Sequence, residues 1–230
     1  MNTTILLNTL VHEPVQTAAA CVIWLHGLGA DGHDFKSLPN ELRLSKQHNI
    51  RFVFPHAPMR PITLNGGLQM RGWYDILGLA HDSSQDHAGI QEAYAQCSAL
   101  IEKQAASGIP YDKIILGGFS QGAALALYTG LRYPHALGGI VSLSGYLPLA
   151  ENTQAEASLH NKHIPIFMAQ GTEDPIVSFY LATISYQHLY HLSYPIKWHT
   201  YPMGHHICTE EMKDLRTWLM SVLQMTDNIL

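Results

Sequence analysis

Cysteine is scarce in this chain and charge is low. The three cysteines among 230 residues, Cys21, Cys97 and Cys208, are widely spaced and form no C-x-x-C pair. Neither a disulfide framework nor a zinc ribbon is expected, and a reducing compartment fits. Charged residues make up 13% of the chain and the formal net charge is −5, so no basic field exists to draw in nucleic acid or an anionic membrane surface. No apolar run approaches the ~18 residues of a membrane span. The opening MNTTILLNTLVHEP has no positively charged start and only a short, interrupted apolar stretch, so no signal peptide is expected. These absences leave a soluble, cytoplasmic protein acting on a neutral or apolar small molecule.

Apolar residues, at 47% of the chain, suffice for a substantial core, and the length suits a single domain over 1–230. Apolar, partly β-branched runs at 20–26, 50–54, 113–119, 138–144, 164–170 and 195–201 read as buried strands. Helical spacing lies between them. Over 87–107, Ile90, Ala93, Cys97, Leu100 and Ile101 recur at threes and fours until Gly108 and Pro110. A second pattern starts at Thr209, a suitable N-cap, and runs through Met212, Leu215, Leu219 and Val222. Strands alternating with helices predict βαβ units, hence an α/β fold with a mostly parallel sheet covered on both faces. Residues 5–11 fit an additional edge strand, and the Gly/Pro-rich piece 55–75 reads as a long loop of the kind that carries function. No internal repeat, low-complexity tract or linker divides the chain.

Two glycine motifs compete for the chemistry. The first, GLGADG over 27–32, is a literal G-x-G-x-x-G after a predicted strand, as a dinucleotide site requires. Such a site also needs a helix opening at the third glycine and an acidic residue closing the next strand. Pro39 follows Gly32 within seven residues, and the strand at 50–54 ends in Pro55 and His56. The second motif, GGFSQGAALALYTG, places Gly118, Ser120 and Gly122 in G-x-S-x-G, with a strand running straight into a helix. That corner crowds the serine, which accounts for small residues two before and two after it, and turns its hydroxyl out of the sheet.

A serine hydroxyl is a weak nucleophile near neutral pH and needs an imidazole to take its proton and a carboxylate to fix the imidazole's tautomer. Ligands in open α/β sheets sit beyond the carboxyl ends of strands, so both groups are sought after later strands. Asp174 follows the strand at 164–170, with Glu173 as its neighbour and rival. His205 and His206 follow the strand at 195–201. The order serine, aspartate, histidine is that of α/β-hydrolases. An oxyanion would need two N–H donors, expected from Gln121, which follows the serine, and from Leu28, flanked by Gly27 and Gly29.

Assembled, the chain resembles the acyl-protein thioesterase and carboxylesterase (phospholipase/carboxylesterase) family of α/β-hydrolases. The blocks WLHGLGADG, FPHAPMRPITLNGG, MRGWYDI, GGFSQGAALALYTGL, SLSGYLP, QGTEDPIV and YPMGHHICTEEMKDLRTWL carry the resemblance over roughly 18–223. It implies a serine hydrolase for carboxylic esters or acyl thioesters, with Ser120, Asp174 and His205 as the catalytic triad and Leu28 and Gln121 as oxyanion donors. The loop at 60–77 would border an acyl groove, with Leu64, Met70, Trp73 and Val177 as substrate-binding residues. Gly204 is expected to let the His205 loop bend toward the serine. Lysophospholipase activity, or a non-catalytic ligand-binding protein of the same fold, is the alternative. No cofactor is expected, and a two-fold homodimer is the default assembly. Fifteen histidines are present, and His160/His163 and His188/His191 have helical spacing, but no nearby cysteine or carboxylate completes a metal site around them.

Overall fold

The computed structural model describes residues 6–44, 48–80 and 82–226. Seven strands form the main sheet: β1 (Thr9–His12), β2 (Ala20–Leu25), β3 (Ile50–Pro55), β6 (Ile114–Phe119), β7 (Gly139–Leu143), β8 (Ile166–Gly171) and β9 (Ile196–Tyr201). A separate hairpin pairs β4 (Met59–Ile62) with β5 (Leu68–Arg71). The helices are α1 (Leu38–Glu41), α2 (His87–Ala106), α3 (Gln121–Arg132), α4 (Thr153–Glu156), α5 (Phe179–His191) and α6 (Thr209–Val222). The main sheet runs β1-β3-β2-β6-β7-β8-β9. Only β1 is antiparallel to its neighbour; the remaining pairings are parallel.

Alternation along each strand divides the core in two. Cys21, Ile23 and Leu25 of β2 face one side with Ile90, Leu100 and Leu125 of α2 and α3. Val22 and Trp24 face the other with Leu42 and with Leu215, Trp218 and Leu219 of α6. A strand buried on both faces has no polar face to show, which is why these strands read as unbroken apolar runs.

Three differences from the sequence reading have physical causes. The edge strand occupies Thr9–His12, later than the expected 5–11, whose first residue lies outside the described residues. It pairs with β3 from Thr9↔Pro55 to His12↔Phe52, so pairing partners rather than local apolarity set its ends. The expected loop at 55–75 contains the β4/β5 hairpin, turned by Gly66 and Gly67 at φ +65° and +80°, values that glycine adopts without strain. Helix α5 has little amphipathic signal: it buries Ala182, Ser185 and Leu189 while leaving Phe179, Tyr180 and Tyr190 exposed. Among the described residues, no helix is long and apolar enough to cross a membrane.

Candidate active site

Strands β2 and β6 are neighbours, but the chain leaves β2 toward β3 on one side and continues from β6 toward β7 on the other. A crevice opens at such a reversal, beyond the carboxyl ends of both strands. The turn 26–32 leaves β2 there, and Ser120 ends β6.

Ser120 sits at φ +56° and ψ −121°, a conformation that costs a non-glycine residue about 1–3 kcal/mol and persists only when surrounding packing enforces it. The enforcement is steric. A Cβ on Gly122 would lie 2.1 Å from the Leu25 carbonyl oxygen, and one on Gly118 would lie 2.5 Å from the Gly122 carbonyl carbon. Helix α3 therefore starts hard against β2, and the serine takes the corner. Its N–H donates to Leu143 O at 2.9 Å.

The Ser120 Oγ is 2.9 Å from His205 Nε2, and His205 Nδ1 is 2.7 Å from Asp174 Oδ2. With Nδ1 carrying the proton, Nε2 presents a lone pair to the serine. The Asp174 carboxylate is fully shielded from solvent and is held from several sides. Oδ1 accepts from the N–H groups of Ile176 and Val177, and Oδ2 also accepts from Gln170 Nε2 at 3.0 Å. The rival acid Glu173 is exposed, and its N–H donates to Met203 O. His206 is likewise exposed. The Phe119 ring lies 4.7 Å from the His205 ring, centroid to centroid.

The loops bearing the acid and the histidine meet closely at Gly171, while Gly204, expected to give the His205 loop room to bend toward Ser120, is not crowded. A Cβ on Gly171 would fall 2.3 Å from Met203 O and 2.6 Å from Gly204 O, whereas one on Gly204 would have only ordinary contacts, the nearest at 3.8 Å.

No N–H of Leu28 or Gln121 donates to another described group, and both residues line the cavity that holds Ser120. His26 fixes the turn that carries Leu28. It is buried, with Nδ1 2.7 Å from Gly27 O while Nε2 accepts from Ala57 N–H at 3.0 Å. Burial pushes its pKa below the ordinary value, partly offset by the Gly27 carbonyl. The neutral ring thus donates on one side and accepts on the other.

The cavity beside Ser120 measures about 550 Å³, within the ~300–1,000 Å³ usual for small-molecule sites. Leu64 and Val177 line it as expected, joined by Phe35, Ile76, Leu79 and Tyr146. Two expected groove residues are elsewhere. Trp73 is fully buried in the core, with Nε1 donating to His26 O at 2.8 Å. Met70 faces a separate depression with Gly29 and Arg71. The additional lining residues come from loops without periodicity, so sequence pattern carried no signal for them.

The Gln121 side chain ties this wall to the nucleophile corner. Its Oε1 accepts from Trp73 N–H at 3.0 Å and its Nε2 donates to Tyr74 O at 2.7 Å, both buried.

The two core cysteines offer no competing nucleophile. Cys21 and Cys97 are buried, and burial pushes the Cys97 thiol up to about 12.

Near the His205 loop, Glu211 in the first turn of α6 is fully buried. Burial raises its carboxyl from an ordinary 4.5 to about 8, only partly offset by the Cys208 backbone. Between those values the folded chain holds a proton that the unfolded chain has released. The contribution to stability is complete below about pH 4.5 and is lost as pH rises through about 8. Glu211→Gln should therefore flatten the fall in melting temperature from about pH 5 to about pH 9 and melt above wild type at the alkaline end. Parallel melting curves for the two proteins across that range would contradict this.

The phospholipase/carboxylesterase family profile matches residues 7–223. Acyl-protein thioesterase 1 of Neurospora crassa is 41% identical over 219 residues, covering 91% of this chain and 89% of that protein. The Schizosaccharomyces pombe protein of the same name is 42% identical over 183 residues, covering 80% of this chain and 81% of its own. Among solved structures, Zea mays acyl-protein thioesterase 2 superposes with a TM-score of 0.84 at 31% identity, covering 94% of this chain and 99% of that one. Esterase PE8 superposes at 0.81 and 30% identity, covering 95% and 100%. The chain belongs to the phospholipase/carboxylesterase family and is a hydrolase of the α/β-hydrolase fold.

Proposed function

We propose that the protein, acting as one domain in the cytoplasm, hydrolyses acyl thioesters of proteins and simple carboxylic esters through an acyl-Ser120 intermediate. The observation that carries this reading is the unbroken run Ser120 Oγ, His205, Asp174, with contacts of 2.9 and 2.7 Å, opening on an apolar cavity. His205 Nε2 takes the hydroxyl proton as Oγ adds to the substrate carbonyl carbon. The resulting oxyanion accepts from the N–H groups of Leu28 and Gln121, which have no competing partner among the described residues. Collapse breaks the carbon–sulfur or carbon–oxygen bond, and the leaving thiolate or alkoxide receives the proton from His205. Water then adds to the acyl carbon with His205 again accepting the proton, and the acid departs as Ser120 recovers its hydrogen. Asp174 holds the imidazole in the required tautomer and offsets its charge when protonated.

An S-acylated cysteine peptide tested beside nitrophenyl esters from short to long chain would probe the reading, with Ser120→Ala as control. Saturable hydrolysis of the thioester and of at least one ester, both lost in the variant, is expected. Hydrolysis confined to lysophospholipid would move the assignment to a lysophospholipase, and fluorophosphonate-resistant protein would point to ligand binding alone.

The choice of acid has its own test. Asp174→Asn should lower kcat by about 10⁴-fold, since the amide favours the wrong tautomer, and Glu173→Gln should leave kcat near wild type. A larger loss in the Glu173 variant would place the acid one residue earlier.

A further inference from the structure

His33 and His56 are distant in sequence, yet they meet beside Asp31. Each of the three side chains offers one ligand atom, and these atoms all lie within 4.8 Å of one another. His33 Nδ1 is 3.0 Å and His56 Nδ1 3.9 Å from the same oxygen, Asp31 Oδ1. The two imidazoles lie side by side, centroids 5.1 Å apart. We propose that Asp31, His33 and His56 form a binding site for a divalent transition-metal ion, Zn²⁺ being the best match, apart from the catalytic centre.

Two imidazoles and a carboxylate form a donor set that suits zinc, whereas Mg²⁺ and Ca²⁺ favour oxygen throughout. Bonds of ~2.0–2.2 Å in tetrahedral geometry set neighbouring ligand atoms about 3.3 Å apart. The observed 3.0 and 3.9 Å straddle that spacing and the third pair of ligand atoms lies within 4.8 Å, so closure draws the two imidazoles together by up to about 1.5 Å.

Part of the set is already held. Asp31 Oδ1 accepts from His33 N–H at 2.7 Å, and Asp31 N–H donates to Asp34 Oδ2 at 2.7 Å. His56 is mostly buried, its side chain 15% exposed, and His33 is 61% exposed, so solvent can fill the fourth position from the His33 side. Ligation through Nδ1 would displace the His33 proton shared with Asp31 and the Gly32 N–H bond to His56 at 3.1 Å. Of the other charged side chains on the depression shared by Asp31 and His33, Asp34 favours a cation and Arg71 opposes it. The pairs His160/His163 and His188/His191 gather no such third ligand among the described residues.

The test is titration of chelator-stripped protein with Zn²⁺ by calorimetry, and with Co²⁺ by the visible absorption of a four-coordinate ion. One saturable ion per chain and a raised melting temperature are expected. His33→Ala and His56→Ala should each weaken binding by about 100-fold or more, while His188→Ala/His191→Ala retains it. His33→Ala keeps the test interpretable if His56→Ala disturbs the turn, because the exposed ring contributes little to packing. Absence of saturable binding, or binding that survives both single variants, would overturn the site. So would loss of binding in His205→Ala with retention in His33→Ala.

Discussion

Ser120→Ala is expected to lower turnover by about 10⁶-fold, the scale seen when nucleophile and base act as one unit. The fold should be unchanged. Alanine meets the same backbone demand as serine at φ +56°, and the strain is enforced by Gly118, Gly122 and β2 rather than by the hydroxyl. What disappears is the proposed nucleophile, so covalent labelling by a fluorophosphonate should vanish with turnover. A folded variant that keeps more than about 1% of kcat would remove Ser120 from the chemistry, because loss of a general base alone typically costs ~10²-fold or more.

His205→Ala is expected to match that loss, whereas His206→Ala should slow turnover by less than about tenfold, below the cost of losing a general base. The adjacent rings are not equivalent. His205 bridges Ser120 and Asp174; His206 is exposed and its N–H donates to Gly204 O at 3.0 Å. The bend at 204–206 turns one ring to Ser120 and leaves the other exposed, so one register admits one base. Steady-state kinetics and probe labelling on both purified variants, with melting curves to show folding, give the ranking. The reverse order would mean that the loop is displaced by one residue.

The central strands and the helices at 87 and 209 were legible because burial on both faces leaves continuous apolar runs and packing on one face leaves helical periodicity. Ser120 was legible for a different reason: its crowding demands glycine at fixed offsets. Asp174 and the choice between two histidines needed strand ends plus the family pattern, since spacing alone leaves Glu173 and His206 open. Trp73 misled because an indole in a loop next to a groove looks like a binding residue, while its N–H is used by the His26 carbonyl. The meeting of Asp31, His33 and His56 had no sequence signature, because β3 brings His56 to the turn after β2 through sheet pairing. The Gly171 contact was equally invisible, as it depends on two loops closing over each other.

The buried amide of Gln121 links the proposed oxyanion hole to the cavity wall at Trp73 and Tyr74. One residue carries a proposed oxyanion donor on its backbone and grips Trp73 and Tyr74 with its side chain, and Trp73 in turn holds the His26 carbonyl at the root of the turn bearing Leu28. Any redesign of chain-length preference that shifts residues 72–75 is therefore expected to pull on both proposed oxyanion donors. Substitutions confined to Leu64 or Leu79, which line the cavity away from that linkage, are where specificity can evolve without a loss of speed.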